Sequence, residues 1–199
     1  MTKPATISTT RESLIGVGLK LIQSGGYTAT GINQILDAAN IPKGSFYHHF
    51  TTKDDFVIEV IRRYAAGEGE RLERLLGDPD TPPLKRLRRY FKDLIATYGR
   101  RGGPIAGCLL GNLSLEVAGQ SAEIRDLLRQ AFNGWQDALA RTIREAVEKK
   151  ELPKSTDANS LAALLVNGWE GAQVRAKTEQ SDKPLELFFD NAFNVLLKS

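Results

Sequence analysis

The chain has 199 residues, 41% of them hydrophobic, with 27 Lys and Arg against 24 Asp and Glu (formal net charge +3) and one cysteine. That length buries a sizeable core in one large or two small domains; one cysteine excludes an intrachain disulfide framework, and no apolar run reaches the roughly 18 residues that span a bilayer. With no signal-peptide pattern at its start, the sequence reads as a soluble, cytoplasmic protein without a membrane partner, its small positive charge compatible with a polyanionic partner without demonstrating one.

Apolar residues recur with a period near 3.6 and alternating strand-like runs are hard to find, so the expected fold class is all-α, with about nine helices. A first helix is expected to start after Thr9, which has capping-box spacing to Glu12, and to end at Gly25-Gly26, with Leu14, Val17, Leu19, Leu21 and Ile22 as its apolar stripe. Thr30 is placed to cap a short second helix carrying Ile32, Ile35, Leu36 and Ala39. Asn40-Ile41-Pro42 interrupts it: Asn tolerates positive φ, and Pro suits a helix entry but not an interior. A third helix from about Lys43 to Phe50 is two turns long and unstable alone, with Phe46 and Phe50 turned to a core. Thr52 caps a long helix to about Leu76, with Asp54 and Asp55 in its first turn.

The run from Gly77 to Pro83 is the clearest linker. Five more helices follow, over about 84–101, 105–118, 121–150, 155–178 and 184–197, with glycine or proline between them. The expected organisation is an N-terminal three-helix head over 8–68 and a helical regulatory and dimerisation body over 69–199.

Two short helices joined by a tight turn, the second exposing basic, hydroxyl and aromatic groups, are the layout of a helix-turn-helix whose second helix enters the major groove. Lys43 and Lys53 are placed to neutralise phosphates, and Tyr47 and the amides near Thr28 and Lys43 to hydrogen-bond them. Ser45, His48, Asn33 and Lys43 have the reach to read base edges. On spacing alone a solvated face explains Lys43, Tyr47 and His48 equally well, and six Lys or Arg against five acids in residues 1–62 do not separate the two.

Gly26-Tyr27, Ile32-Asn33-Gln34-Ile35, the run from Ile41 to Phe50 (IPKGSFYHHF) and Lys53 resemble the head of the TetR family over about residues 8–68. The resemblance implies a homodimeric repressor that reads a palindromic operator in double-stranded DNA, and a DNA-binding set of Thr28, Thr30, Asn33, Lys43, Gly44, Ser45, Tyr47, His48 and Lys53. The sequence departs from the family pattern at Gly31, where many members place a phosphate-binding Ser or Thr, and at Asn40, where Gly is common.

In the body, Gly107-Cys108-Leu109-Leu110-Gly111 with Leu113-Ser114-Leu115-Glu116, and the stretch Gln173 to Lys177, are similar to the electrophile-sensing NemR-like and related AcuR-like groups of that family. This implies a sensor cysteine, Cys108, tuned by Lys177, and a small-molecule or electrophilic inducer. A helix N-terminus behind Cys108 would lower its thiol pKa, and Arg100 and Arg101 would add positive potential. Two alternatives stand beside it. Cys108 is a small buried hydrophobe among Ile105, Leu109 and Leu110, or the inducer binds reversibly in a pocket lined by Tyr90, Phe91, Tyr98, Asn112, Trp135 and Trp169, residues that suit a core equally.

Lys85, Arg86, Arg88, Arg89 and Lys92 read as the solvated face opposite a stripe of Leu84, Leu87, Phe91, Leu94, Ile95 and Tyr98. The small and apolar residues from Ala162 to Trp169 suit either the dimer interface that the family builds from its last two long helices or intrachain core. A cysteine-dependent enzyme is the rival class, but the two histidines, His48 and His49, both lie in the head. No metal cluster or phosphate loop is visible, so no catalytic residue, cofactor or metal is expected.

Overall fold

The computed structural model describes residues 4–99 and 104–197; Arg100, Arg101, Gly102 and Gly103 lie outside the described residues. The order is α1 (Pro4–Gly25), α2 (Ile32–Ala39), a 3₁₀ helix (Lys43–His48), α3 (Lys53–Leu76), α4 (Pro83–Tyr98), α5 (Leu109–Glu116), α6 (Ala122–Glu148), α7 (Ala158–Glu179), α8 (Lys183–Asn191) and a closing π-helical turn (Ala192–Leu196). No strand occurs among the described residues, as the periodicity requires. Two compact units result, Met1–Ala66 with Leu109–Arg129, and Gly67–Cys108 with Gln130–Ser199. Leu109–Arg129 thus groups with the N-terminal residues and not with the rest of 69–199.

In the first unit, α1 begins at Pro4, so Thr9 lies inside the helix rather than capping it. Proline is well tolerated at a helix start, where its missing N–H is not needed. The buried line along α1 is Leu14, Ile15 and Ile22, with Val17, Leu19 and Leu21 half-buried. Gly18 belongs to that line because a Cβ there would lie 2.2 Å from Cζ of Phe56. Asn40 closes α2 in the left-handed conformation (φ 53°, ψ 44°), and Ile41 N–H donates back to Leu36 O at 3.0 Å.

The segment expected as an α-helix from Lys43 to Phe50 is a 3₁₀ helix ending at His48. Six residues that include Gly44 cannot offset α-helical nucleation, and the tighter turn is the form short pieces take. Tertiary packing holds it: the rings of Phe46, Phe50 and Phe56 lie 4.9–5.4 Å apart. Thr52 and Asp55 then cap α3 reciprocally, Asp55 N–H donating to Thr52 Oγ1 at 3.0 Å and Thr52 N–H to Asp55 Oδ2 at 2.9 Å.

The second unit is built around Phe91, whose ring meets Trp169, Phe188 and Phe193 at 5.4–5.9 Å. Glu151 caps α4 by accepting Leu84 N–H at 2.9 Å, and Asp157 caps α7 by accepting the amides of Asn159 and Ser160. Helix α7 therefore starts at Ala158, three residues later than expected. Helix α5 starts at Leu109 rather than near Ile105, because Gly107 takes φ 80°, a conformation that interrupts a helix.

The basic run on α4 is not a uniformly solvated face. Arg86 is 2% exposed, paired with Glu145 and donating to the carbonyl of Leu76. Arg88 lies over the rings of Phe189 and Phe193, and Arg89 donates to Leu75 O at 2.8 Å. Lys85, Arg88, Arg89 and Lys92 are exposed as expected, and Arg86 alone of the run is buried.

Candidate nucleic-acid interface and thiol site

The α2 and 3₁₀ helices of the first unit leave Asn33, Lys43, Gly44, Tyr47 and His48 exposed, with Ser45 half-buried. Tyr47 is 66% exposed, an unusual position for an aromatic ring with Phe46 beside it fully buried. The alternation follows from the anchor: burying Phe46 and Phe50 turns their neighbours outward.

Three other residues expected in this set are engaged within the unit. Thr30 is 1% exposed, and its hydroxyl donates to Gly26 O at 2.6 Å. It closes α1, while Gly31 stands at the N-cap of α2 with no side-chain cap, so the Thr30 side chain is not placed to touch a phosphate. Lys53 donates through Nζ to Tyr27 O at 2.6 Å and lies 4.1 Å from the centre of the Tyr27 ring; burial pulls its ammonium below the usual value, with Asp54 and Glu116 opposing. The Tyr27 hydroxyl in turn donates to Asp54, and burial first, then that carboxylate, push the phenol up to about 12.

The Thr28 amide is taken by Glu116, the last residue of α5, which accepts it at 2.9 Å. Gly26, at φ 89°, makes room: a Cβ there would lie 2.6 Å from Glu116 Oε1. A second tie between α5 and α1 runs from Asn112, whose amide donates to Gln23 O at 3.1 Å. Asn112 thus belongs to the first unit, whereas the aromatic residues that sequence reasoning grouped it with belong to the second.

In the second unit, Cys108 is 6% exposed and immediately precedes α5. Its thiol hydrogen-bonds Glu170 of α7. Burial pushes the Glu170 carboxyl up to about 7, the Cys108 hydrogen bond opposing. Gln173, one turn on, is 3% exposed, and Oε1 of Glu170 and Oε1 of Gln173 have no protein donor. Lys177 stands half-buried in the last turn of α7. Gln180, the left-handed cap of that helix, donates to Lys177 O at 2.6 Å and accepts Ile105 N–H at 3.0 Å. The end of α7 is thereby fastened to the segment that reaches Cys108 three residues later. Sequence reasoning missed Glu170; the available signal was a single acid in the otherwise uncharged stretch from Ala158 to Val174.

Tyr90 and Trp169 are each 1% exposed and belong to the core, as does the half-buried Trp135, whose Nε1 is enclosed without a partner. The Tyr98 hydroxyl donates to Glu68 at 2.9 Å, beside an Arg71 that pairs with Glu68 at 3.3 Å and Asp93 at 3.4 Å. Among the described residues no group of His, Cys, Asp or Glu is arranged to hold a metal.

Residues 14–60 match the family described as bacterial regulatory proteins, tetR family, and residues 83–192 the tetracyclin repressor-like C-terminal domain. The chain is 32% identical to the HTH-type transcriptional repressor DhaR of Mycobacterium sp. (strain GP1), covering 95% of this chain and 93% of that one. It is 38% identical to the transcriptional regulator AcuR of Cereibacter sphaeroides, over 91% and 82%. Among solved structures, the reduced form of Escherichia coli NemR is similar with a TM-score of 0.86 and 30% identity, covering 94% of this chain and 96% of that one.

Proposed function

The chain belongs to the TetR family of bacterial regulatory proteins, whose members are transcriptional regulators and not enzymes, and on that premise we propose that it is a homodimeric repressor released from its operator when an electrophile or small organic molecule acts at Cys108. The observation that carries the DNA-binding part is the exposed set Asn33, Lys43, Gly44, Tyr47 and His48 on one short-helix pair. Lys43 supplies phosphate neutralisation, Tyr47 a phosphate hydrogen bond, and Asn33, Ser45 and His48 reach base edges.

A dimer is supported by the surface of the second unit. On α7, Leu164, Asn167, Gly171 and Val174 are exposed at i, i+3, i+7 and i+10, a single stripe in which Leu164 and Val174 are 51% and 53% exposed. On α8 and the closing turn Leu187, Val195 and Leu196 are exposed as well. Two copies meeting on these faces bury apolar area and place two recognition helices on a two-fold operator, half-sites about 34–36 Å apart if they lie one DNA turn apart.

Release is a coupling between the sensor and the DNA face. Helix α5 supports it: it begins at the residue after Cys108 and ends at Glu116, which holds the Thr28 amide. A 100-fold loss of DNA affinity asks for about 2.7 kcal/mol of differential stabilisation between the two states. The DNA-binding reading is tested by fluorescence anisotropy of the protein on DNA from upstream of its own gene. Saturable binding whose affinity falls linearly with log salt concentration supports it, and salt-independent or absent binding refutes it.

A further inference from the structure

The neighbour that hydrogen-bonds the Cys108 thiol is an acid, Glu170. One turn along α7, Gln173 is 97% buried, and Oε1 of Glu170 and Oε1 of Gln173 are both enclosed without a protein donor. Positions i and i+3 share a helix face, so α7 presents a second buried acceptor one turn from the carboxyl that meets the one nucleophilic sulfur of the chain. An acceptor enclosed without a donor is unfavourable by about 1–3 kcal/mol. A guest that carries N–H or O–H groups removes that penalty. A carboxylate guest does the opposite, since it sets a second negative charge beside Glu170 and brings no donor.

We propose, on the reading of Cys108 as the sensor, that Glu170 and Gln173 form a donor-selective subsite that receives uncharged α,β-unsaturated amides in preference to carboxylate anions, Glu170 also taking the Cys108 proton. The addition balances without a co-reactant. The sulfur lone pair forms the bond to the β-carbon, the thiol proton passes to the Glu170 carboxylate, and the carbon–carbon π pair moves to the α-carbon as an enolate. The carboxyl proton then goes to the α-carbon, which leaves a thioether and a carboxylate as at the start. The other titratable and charged groups that act electrostatically on this region are Tyr90 of α4, itself coupled to Cys108, Glu68, Tyr98 and Arg71, and Lys177 lies seven residues along α7 from Glu170.

The test is the rate of Cys108 alkylation in the full-length protein, read by intact mass, with acrylamide, N,N-dimethylacrylamide and acrylate, each divided by that reagent's rate with glutathione at the same pH. Acrylamide is expected to be favoured over each of the others by about tenfold or more. Glu170→Gln slows the acrylamide reaction about tenfold or more near neutral pH. It also changes the pH profile, from one that levels off once the carboxyl is ionised to one that climbs about tenfold per pH unit with the thiol's own ionisation. Gln173→Leu keeps the wild-type profile and loses the preference for acrylamide over its dimethyl analogue. Equal normalised rates for the three reagents in the wild type, or a Glu170→Gln profile identical to the wild type, overturn the subsite and leave Cys108 as the sensor. A wild-type cysteine untouched by these reagents and by N-ethylmaleimide overturns the sensor reading with it. The wild-type comparison of reagents decides the matter even if Glu170→Gln does not fold.

Discussion

The Glu116 carboxylate accepts the backbone amide of Thr28 at 2.9 Å, joining residues 88 apart in sequence. In the DNA interface expected from the sequence the Thr28 amide donates to a phosphate, and on that reading the Glu116 carboxylate competes for this donor with a charge of the same sign. Removing it frees the donor and takes one negative charge from beside the DNA. Glu116→Ala is therefore expected to tighten operator binding by about three- to tenfold and to shrink the response to any inducer. Unchanged or weaker DNA binding contradicts this.

Lys43 and Lys53 differ although both were expected at phosphates. Lys43 is exposed, so Lys43→Ala should weaken binding on all sequences and lower the slope of log affinity against log salt by about 1. The ammonium of Lys53 is held by Tyr27 O and the Tyr27 ring. Lys53→Ala should lower the melting temperature and leave the salt slope nearly unchanged. His48→Ala, by contrast, should cost about 1–3 kcal/mol on the operator and little on unrelated DNA.

The α7 stripe predicts the oligomeric state. Leu164→Glu with Val174→Glu places two charges on a face whose residues are already solvent-exposed in the single chain. The variant should keep its helical circular dichroism and sediment as a monomer with lost operator affinity. A variant that remains dimeric at the same concentration removes this face from the interface.

Stability should depend on pH through Glu170. Burial raises its carboxyl to about 7 in the folded chain, above the 4.5 of the free group. The folded state binds the extra proton between those values, so the stabilisation is fully present below about 4.5 and is lost as pH rises through 7. The loss is about 3 kcal/mol at most. Thermal melts of wild type and Glu170→Gln should therefore diverge from pH 5 to pH 8, the wild type falling several degrees further; parallel curves contradict the burial of this carboxyl.

Local chemistry made the head legible. Asn40 in the left-handed region, Phe46 and Phe50 in the core and Thr52 at the start of α3 each depend on neighbours within a few residues. Thr30 was misassigned because a hydroxyl one residue before a helix can turn either way. Here it turns back to the carbonyl of Gly26 and leaves the cap to Gly31. The remaining departures are long-range. Arg86 is buried because α6 supplies Glu145. Asn112 and Glu116 find partners on and after α1, and Glu170 meets Cys108 across 62 residues. The apolar period that marks a helix face carries no information on which distant polar group will meet it.

A thiol-switched repressor is distinguished from its rivals by operator binding of wild type and Cys108→Ser before and after treatment with N-ethylmaleimide. Treatment is expected to abolish binding by the wild type and to leave the Cys108→Ser chain bound. Release of both proteins, or of neither while Cys108 is shown by mass to be alkylated, contradicts a switch at Cys108.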